Sequence, residues 1–138
     1  MKVVINKCFG GFSLSPKGLE KYLALQGKKA FFYERNYANP YHNEYIRCTN
    51  IDNDDIWVNC SDVDLGDKIK IIPNEHFISC FDIERDNPYL IQTVEELGEP
   101  ASGRCADLKI VEIPDDVDWE IDEYDGMETV EEKHRTWD

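Results

Sequence analysis

The sequence predicts an α+β fold: a mainly antiparallel sheet with two helices and a C-terminal β-hairpin, in a single domain of 138 residues. Three observations carry this expectation. Two amphipathic segments each open on a capping side chain followed by proline and stop at glycine. Short runs of β-branched and aromatic residues lie between clusters of Asn, Asp, Gly and Pro. Near the end, an Asp-Gly pair separates two alternating segments, a strong signal for a two-residue hairpin turn.

Residues 2–9 read as the first strand, with Val3, Val4 and Ile5 followed by Cys8 and Phe9 and stopped by Gly10-Gly11. A helix follows, with Ser15 as N-cap, Pro16 at the first helical position and Gly27 as the stop. Its apolar stripe is Leu19, Tyr22 and Leu23, and Gly18 in the first turn costs about 1 kcal/mol relative to alanine. Residues 29–34 form a second strand around Phe31, Phe32 and Tyr33, and 36–43 a loop rich in Asn, Pro and Tyr. Further strands are expected at 44–49, 56–60, 68–72 and 76–83, separated by turn material. Asn87 caps a second helix that starts at Pro88, buries Leu90, Val94 and Leu97, and ends at Gly98. Residues 107–113 alternate as a strand. Segments 119–124 and 127–133 then flank Asp125-Gly126. In this hairpin Tyr124 faces Met127, Ile121 faces Val130 as a buried pair and Asp118 faces Lys133 as an ion pair. The same register sets Glu120 against Glu131 and Glu123 against Glu128, each pair costing about a few tenths of a kcal/mol. Local rules broken without visible compensation are enriched at functional places. A helix over 128–135 is the alternative.

No stretch approaches the ~18 consecutive apolar residues of a membrane span, and the first residues lack the apolar core of a secretory signal. Cys8, Cys48, Cys60, Cys80 and Cys105 are scattered singly, with no CxxC, and His42, His76 and His134 are equally isolated. An odd count at wide spacing argues against a disulfide framework and for reduced thiols, so an intracellular, cytoplasmic setting is expected. No metal site and no cofactor has a local signature.

Charge is unevenly placed within the net −14. Residues 1–50 hold eight Lys or Arg against three acids, a net of +5, and residues 51–138 hold seven against 26, a net of −19. Residues 112–138 alone carry twelve acids and two bases. Such acidity disfavours binding to nucleic-acid backbones, which depends on releasing counterions against Lys and Arg, and to anionic membranes. Two interpretations remain: a solubilising surface, or a face that meets a basic protein partner.

Two surfaces merit attention. The first is the loop around Gly10 and Gly11 with Ser13, Ser15 and Lys17, where amides and a helix N-terminus can hold an anion such as a phosphate or nucleotide. Lys7, Lys21 and Arg35 stand nearby in sequence. The spacing is neither GxGxxG nor GxxxxGK[ST], and the glycines also suit a plain tight connection. The second is the acidic hairpin, with Asp118, Glu120, Asp122 and Glu131 as partner-binding candidates. Asp52, Asp54, Asp55, Asp62, Asp64 and Asp67 read as solvated turns rather than a calcium loop. Cys8 reads as a buried strand residue rather than a nucleophile, so no catalytic residue is assigned. The closing His134-Arg135-Thr136-Trp137 either closes a pocket or pins the C-terminus by packing.

Residues 2–16, 95–98, 108–116, 119–126 and 132–137 resemble a family of small uncharacterised proteins of bacteriophages, bacteria and large DNA viruses. The segments that carry this are Lys2-Val-Val-Ile-Asn-Lys-Cys-Phe-Gly-Gly-Phe-Ser-Leu-Ser-Pro16, Glu95-Glu-Leu-Gly98, Leu108-Lys-Ile-Val-Glu-Ile-Pro-Asp-Asp116 and Trp119-Glu-Ile-Asp-Glu-Tyr-Asp-Gly126 with Glu132-Lys-His-Arg-Thr-Trp137. The resemblance implies a viral or mobile-element accessory protein and no particular reaction. The expected function is non-enzymatic: binding a host or virion partner through the acidic C-terminal surface. A nucleotide- or phosphate-binding protein using the Gly10-Gly11 loop, and a structural virion subunit, are the alternatives.

Overall fold

The computed structural model describes residues 1–36, 38, 41, 44–48, 50–52 and 58–133. Strand β1 (Lys2–Asn6) pairs antiparallel with β7 (Leu108–Glu112), Val4 opposite Ile110 and Asn6 opposite Leu108. Helix α2 (Pro88–Leu97) packs beside this pair, and α1 (Pro16–Leu25) packs against α2. A five-stranded antiparallel sheet runs in the order β5 (Lys68–Ile69), β3 (Tyr45–Arg47), β2 (Phe31–Arg35), β4 (Val58–Ser61), β6 (Phe77–Ile78). The hairpin of β8 (Trp119–Tyr124) and β9 (Met127–Glu132) closes the fold. The α+β architecture is thus as the sequence predicts.

Both helices start and stop for the expected reasons. The Ser15 hydroxyl accepts from the Gly18 amide, and the Asn87 side chain accepts from the Tyr89 and Leu90 amides. Past α1, Lys28 N–H donates to the Leu23 carbonyl and Gly27 N–H to Ala24, a Schellman ending that needs the positive φ of 76° at Gly27.

Several strands are shorter than the sequence suggests, among them those expected at 44–49, which keeps 45–47, and at 107–113, which keeps 108–112. β1 ends at Asn6 because the Asn6 side chain turns back on the chain after it, donating to the Cys8 carbonyl and accepting from the Cys8 amide. Cys8 is therefore half-buried outside the strand. The expected strand 76–83 stops at Ile78 because the Ser79 hydroxyl accepts from the Phe81 amide and opens a 3-10 turn over Cys80–Asp82. The strand at 68–72 keeps two ladder residues, and Ile71 beyond them is 72% exposed.

Two apolar clusters meet under α1. One joins Val4, Phe12, Leu14, Ile83, Leu90, Val94, Ala101 and Leu108; the other joins Leu23, Phe32, Cys48 and Cys60. Leu19 and Tyr22 of the predicted stripe touch both, so α1 welds the paired strands to the larger sheet. Burial also pushes the Cys60 thiol up to about 12, which keeps it neutral and inert. Tyr33, fully buried, still satisfies its hydroxyl: it accepts from the Leu65 amide and donates to the Gly66 carbonyl.

Gly18 has a packing reason that propensity does not reveal. A Cβ there would stand 2.8 Å from the Ala101 carbonyl oxygen, inside the contact of α1 with the 3-10 turn Glu99–Ala101. Gly18→Ala is therefore expected to lower the thermal midpoint, although intrinsic propensity alone would favour it by about 1 kcal/mol. A raised midpoint would show that the helix relaxes away from the turn at no cost.

Candidate functional site

The hairpin register matches expectation in full: Tyr124 opposite Met127, Ile121 opposite Val130, Glu120 opposite Glu131 and Glu123 opposite Glu128. Asp125 (φ 52°) and Gly126 (φ 91°) make the turn. Lys133 N–H donates to the Asp118 carbonyl, extending the ribbon by one further pair, but the ion pair expected between these two exposed side chains does not form.

The two faces of this ribbon are chemically unlike. Alternation puts Trp119, Ile121 and Glu123 on the inner side with Val130 and Glu128. Glu128 is only 4% exposed. Its carboxylate receives both Arg85 guanidinium nitrogens, Nη1 at 2.6 Å and Nη2 at 2.9 Å, and the Asn6 backbone amide at 2.8 Å. Taking an ion out of water costs several kcal/mol, so it persists here because both oxygens have charge-assisted partners in fixed geometry. The Arg85 guanidinium also lies 3.6 Å from the Phe12 ring centre. The Glu123–Glu128 opposition, unfavourable on paper, is thereby relieved: one of the two carboxylates is neutralised by Arg85.

The same groups fill the free edge of β1. Val4 N–H donates to the Arg85 carbonyl, the Val4 carbonyl accepts from Arg85 Nη1, and Asn6 N–H reaches Glu128 Oε1. Arg85 and Glu128 thus stand where a third strand would, and the edge is closed to further pairing. The fully buried Asn6 side chain completes the joint, donating to the Gly126 carbonyl and accepting from the Asp107 amide.

The hairpin tip rests on the Gly10-Gly11 loop, so the two surfaces singled out in the sequence are neighbours. Gly10 N–H donates to the Asp125 carbonyl. A Cβ on Gly126 would stand 2.3 Å from the Gly11 amide nitrogen and 2.6 Å from that of Gly10, so only glycine permits this approach. Several of the donors proposed for an anion have internal partners. Ser15 Oγ caps α1 and donates to the Pro100 carbonyl, Ser13 lies against Gly103, and Lys17 pairs with Asp52 at 3.1 Å. Lys7 reaches the Glu128 carbonyl and Lys21 reaches Glu96, while Arg35 meets Tyr45. Glu123 and Asp125 add negative charge at the loop, an unfavourable neighbourhood for an anion.

Asp118, Glu120, Asp122 and Glu131 share the outer face, and all four are exposed. Among the described residues, no ion pair or hydrogen bond involves the side chain of any of them. The basic first half neutralises acids elsewhere: Lys2 meets Glu95, Lys17 meets Asp52, Lys21 meets Glu96, and Arg47 holds Asp64 and Asp67. Asp62 pairs with His76. Among the described residues, no group of His, Cys, Asp or Glu is arranged to hold a metal ion. Asp54, Asp55, His42 and His134-Arg135-Thr136-Trp137 lie outside the described residues. No described helix is long and apolar enough to cross a membrane.

Sequence reasoning missed Arg85 and Asn6. The one signal pointing to them was the opposed Glu123–Glu128 pair, which required a cation from elsewhere in the chain. Searches against known protein families, curated proteins and solved structures find no match to this chain.

Two predictions follow from this geometry. Glu128→Ala, which strands Arg85, is expected to cost about 3–5 kcal/mol in urea unfolding. The paired change Arg85→Met with Glu128→Leu should cost clearly less than that single change, and a cost equal to the summed singles would refute the linkage. The Arg47 guanidinium holds the Asp64 carboxyl below the usual carboxylate range. With the folded value depressed, this contribution is present above the unfolded pKa and fades as pH falls through the folded one. Asp64→Asn should flatten that acid limb of stability, and an unchanged acid limb would discount the pair.

Proposed function

We propose that this chain is a non-enzymatic binding protein that engages a basic protein surface through the outer face of its C-terminal hairpin. The observation that carries this is the contrast between the ribbon's two faces. The inner face is held by a bidentate ion pair, while on the outer face the carboxylates of Asp118, Glu120, Asp122 and Glu131 have no ion-pair partner among the described residues, with Lys133 opposite Asp118 as the one described cation in that register. Carboxylates on an ordered ribbon keep fixed spacing, so their field is shaped, and a complementary cationic surface gains on-rate and register from it. Like charges placed opposite each other, as Glu120 and Glu131 are, lower the stability of the free protein slightly and are relieved when a cation lands between them.

The accessory role in a viral or mobile-element setting belongs to the same proposal and rests on the resemblance of the end segments. Simple solubilisation is the competing account of the acidity. It differs in one measurable respect, because a solubilising surface is indifferent to which acids are changed.

Glu120→Lys is expected to raise folding stability by roughly 0.2–1 kcal/mol, because it turns a like-charge cross-strand pair into an opposite one. The triple change Glu120→Lys, Asp122→Lys and Glu131→Lys should nevertheless abolish capture of cationic partners. Binding by the unchanged protein should weaken steeply between low and physiological salt. Partners retained by the stable triple variant would rule the acidic face out.

A further inference from the structure

Where the hairpin tip meets the glycine loop, an open cleft of about 510 Å³ is lined by Phe9, Gly10, Gly11, Glu123, Asp125 and Gly126. We infer that this cleft takes the guanidinium group of an arginine side chain on the protein partner. The inference rests on the proposed function and adds the side chain that anchors it.

Three features of the cleft define the occupant. Its apolar wall is Phe9, a ring 55% exposed just past the end of β1. Its charged wall is Glu123 and Asp125, both exposed, and among the described residues neither carboxylate has an ion-pair or hydrogen-bond partner. Its floor is bare backbone: a Cβ on Gly11 would meet nothing within 4 Å, so there is open room above that residue. A flat cation with an apolar face satisfies all three at once. It stacks on the ring, bonds a carboxylate through paired N–H groups, and lies close to glycine backbone. An ammonium group supplies the charge without the plane or the fork.

The protein already contains this arrangement, occupied. Phe12, three residues after Phe9, lies against the Arg85 guanidinium at 3.6 Å, and Glu128, directly opposite Glu123, holds that same guanidinium through both of its terminal nitrogens. Phe9 and Glu123 line one cleft at the surface with the residue types of Phe12 and Glu128, and among the described residues Glu123 has no ion-pair partner. Because Glu123 and Glu128 project to the same side of the ribbon, an arginine entering the cleft would also relieve the remaining charge at that ladder position.

The test uses two peptides of equal length and charge, one arginine-rich and one lysine-rich, titrated into the full chain by calorimetry at physiological salt. N-acetyl-arginine methylamide is added separately, with the amide resonances of Gly10, Gly11 and Gly126 followed by NMR. The arginine peptide is expected to bind about tenfold tighter, the scale of one partly desolvated stacked and paired guanidinium. Phe9→Leu, which keeps an apolar side chain but removes the ring face, and Glu123→Gln should each erase the preference while leaving lysine-peptide affinity nearly unchanged. Glu120→Lys should weaken both peptides and keep the preference. Equal affinity of the two peptides, or a preference that survives Phe9→Leu and Glu123→Gln, overturns the cleft assignment. If both peptides then still respond to Glu120→Lys, the acidic face stands without the cleft. If neither peptide binds at all, both proposals fall.

Discussion

The Arg85–Glu128 pair is the constraint on which the rest of this structure depends. It ties the segment before α2 to the last strand, and through Val4 and Asn6 it ties both to β1. Remove it, and the Val4 carbonyl and the Asn6 amide lose their side-chain partners at the edge of β1 while the hairpin loses a charged anchor to that strand. A buried ion pair is rarely a net stabiliser when compared with well-packed apolar side chains. What it supplies here is direction. An apolar contact would hold the hairpin down in several rotations, whereas a forked guanidinium with one amide admits a single orientation of Glu128, and with it a single outward orientation of the opposite face.

That orientation gives the net charge of −14 its meaning. Some of the acids in the middle of the chain are matched by lysines and arginines from the first half, at distances such as 3.1 Å for Lys17–Asp52 and Lys21–Glu96. Exposed pairs of this kind contribute little to stability, but they lower the local field wherever they occur. The outer face of the hairpin lies outside this matching. The ribbon and its tip therefore carry one of the groups of carboxylates left without a partner among the described residues, beside others such as Asp82, Glu84 and Asp86 near the start of α2.

Much of the fold was legible because its signals are local. Ser15-Pro16 and Asn87-Pro88 mark helix starts by a chemistry confined to neighbouring residues, Gly27 and Gly98 mark stops in the same way, and Asp125-Gly126 fixes a register that then aligns every residue of the hairpin. What escaped was non-local or set by a side chain acting on its own backbone. Asn6 ends β1 two residues before Cys8 by binding the Cys8 peptide, and nothing in a run of apolar residues announces that. Arg85 sits between Glu84 and Asp86 with no periodic pattern around it, so only the three-dimensional arrangement reveals that it serves Glu128, 43 residues away. The acidic face was legible as composition, and its four residues do share one side. The neighbouring glycine loop was legible as an exposed turn, but not as the seat of the hairpin tip.

The partners of β1 are all supplied by later parts of the chain: the Arg85 backbone, the whole of β7, and finally Glu128, which lies 122 residues beyond the Asn6 amide it accepts from. During synthesis, a strand made almost entirely of buried residues must therefore wait, unpaired, until nearly all of the described chain has left the ribosome. The larger sheet, whose strands lie between residues 31 and 78, can assemble in the meantime. The joint between β1 and the hairpin is thus a contact across more than a hundred residues, the non-local kind whose loop-closure entropy slows folding.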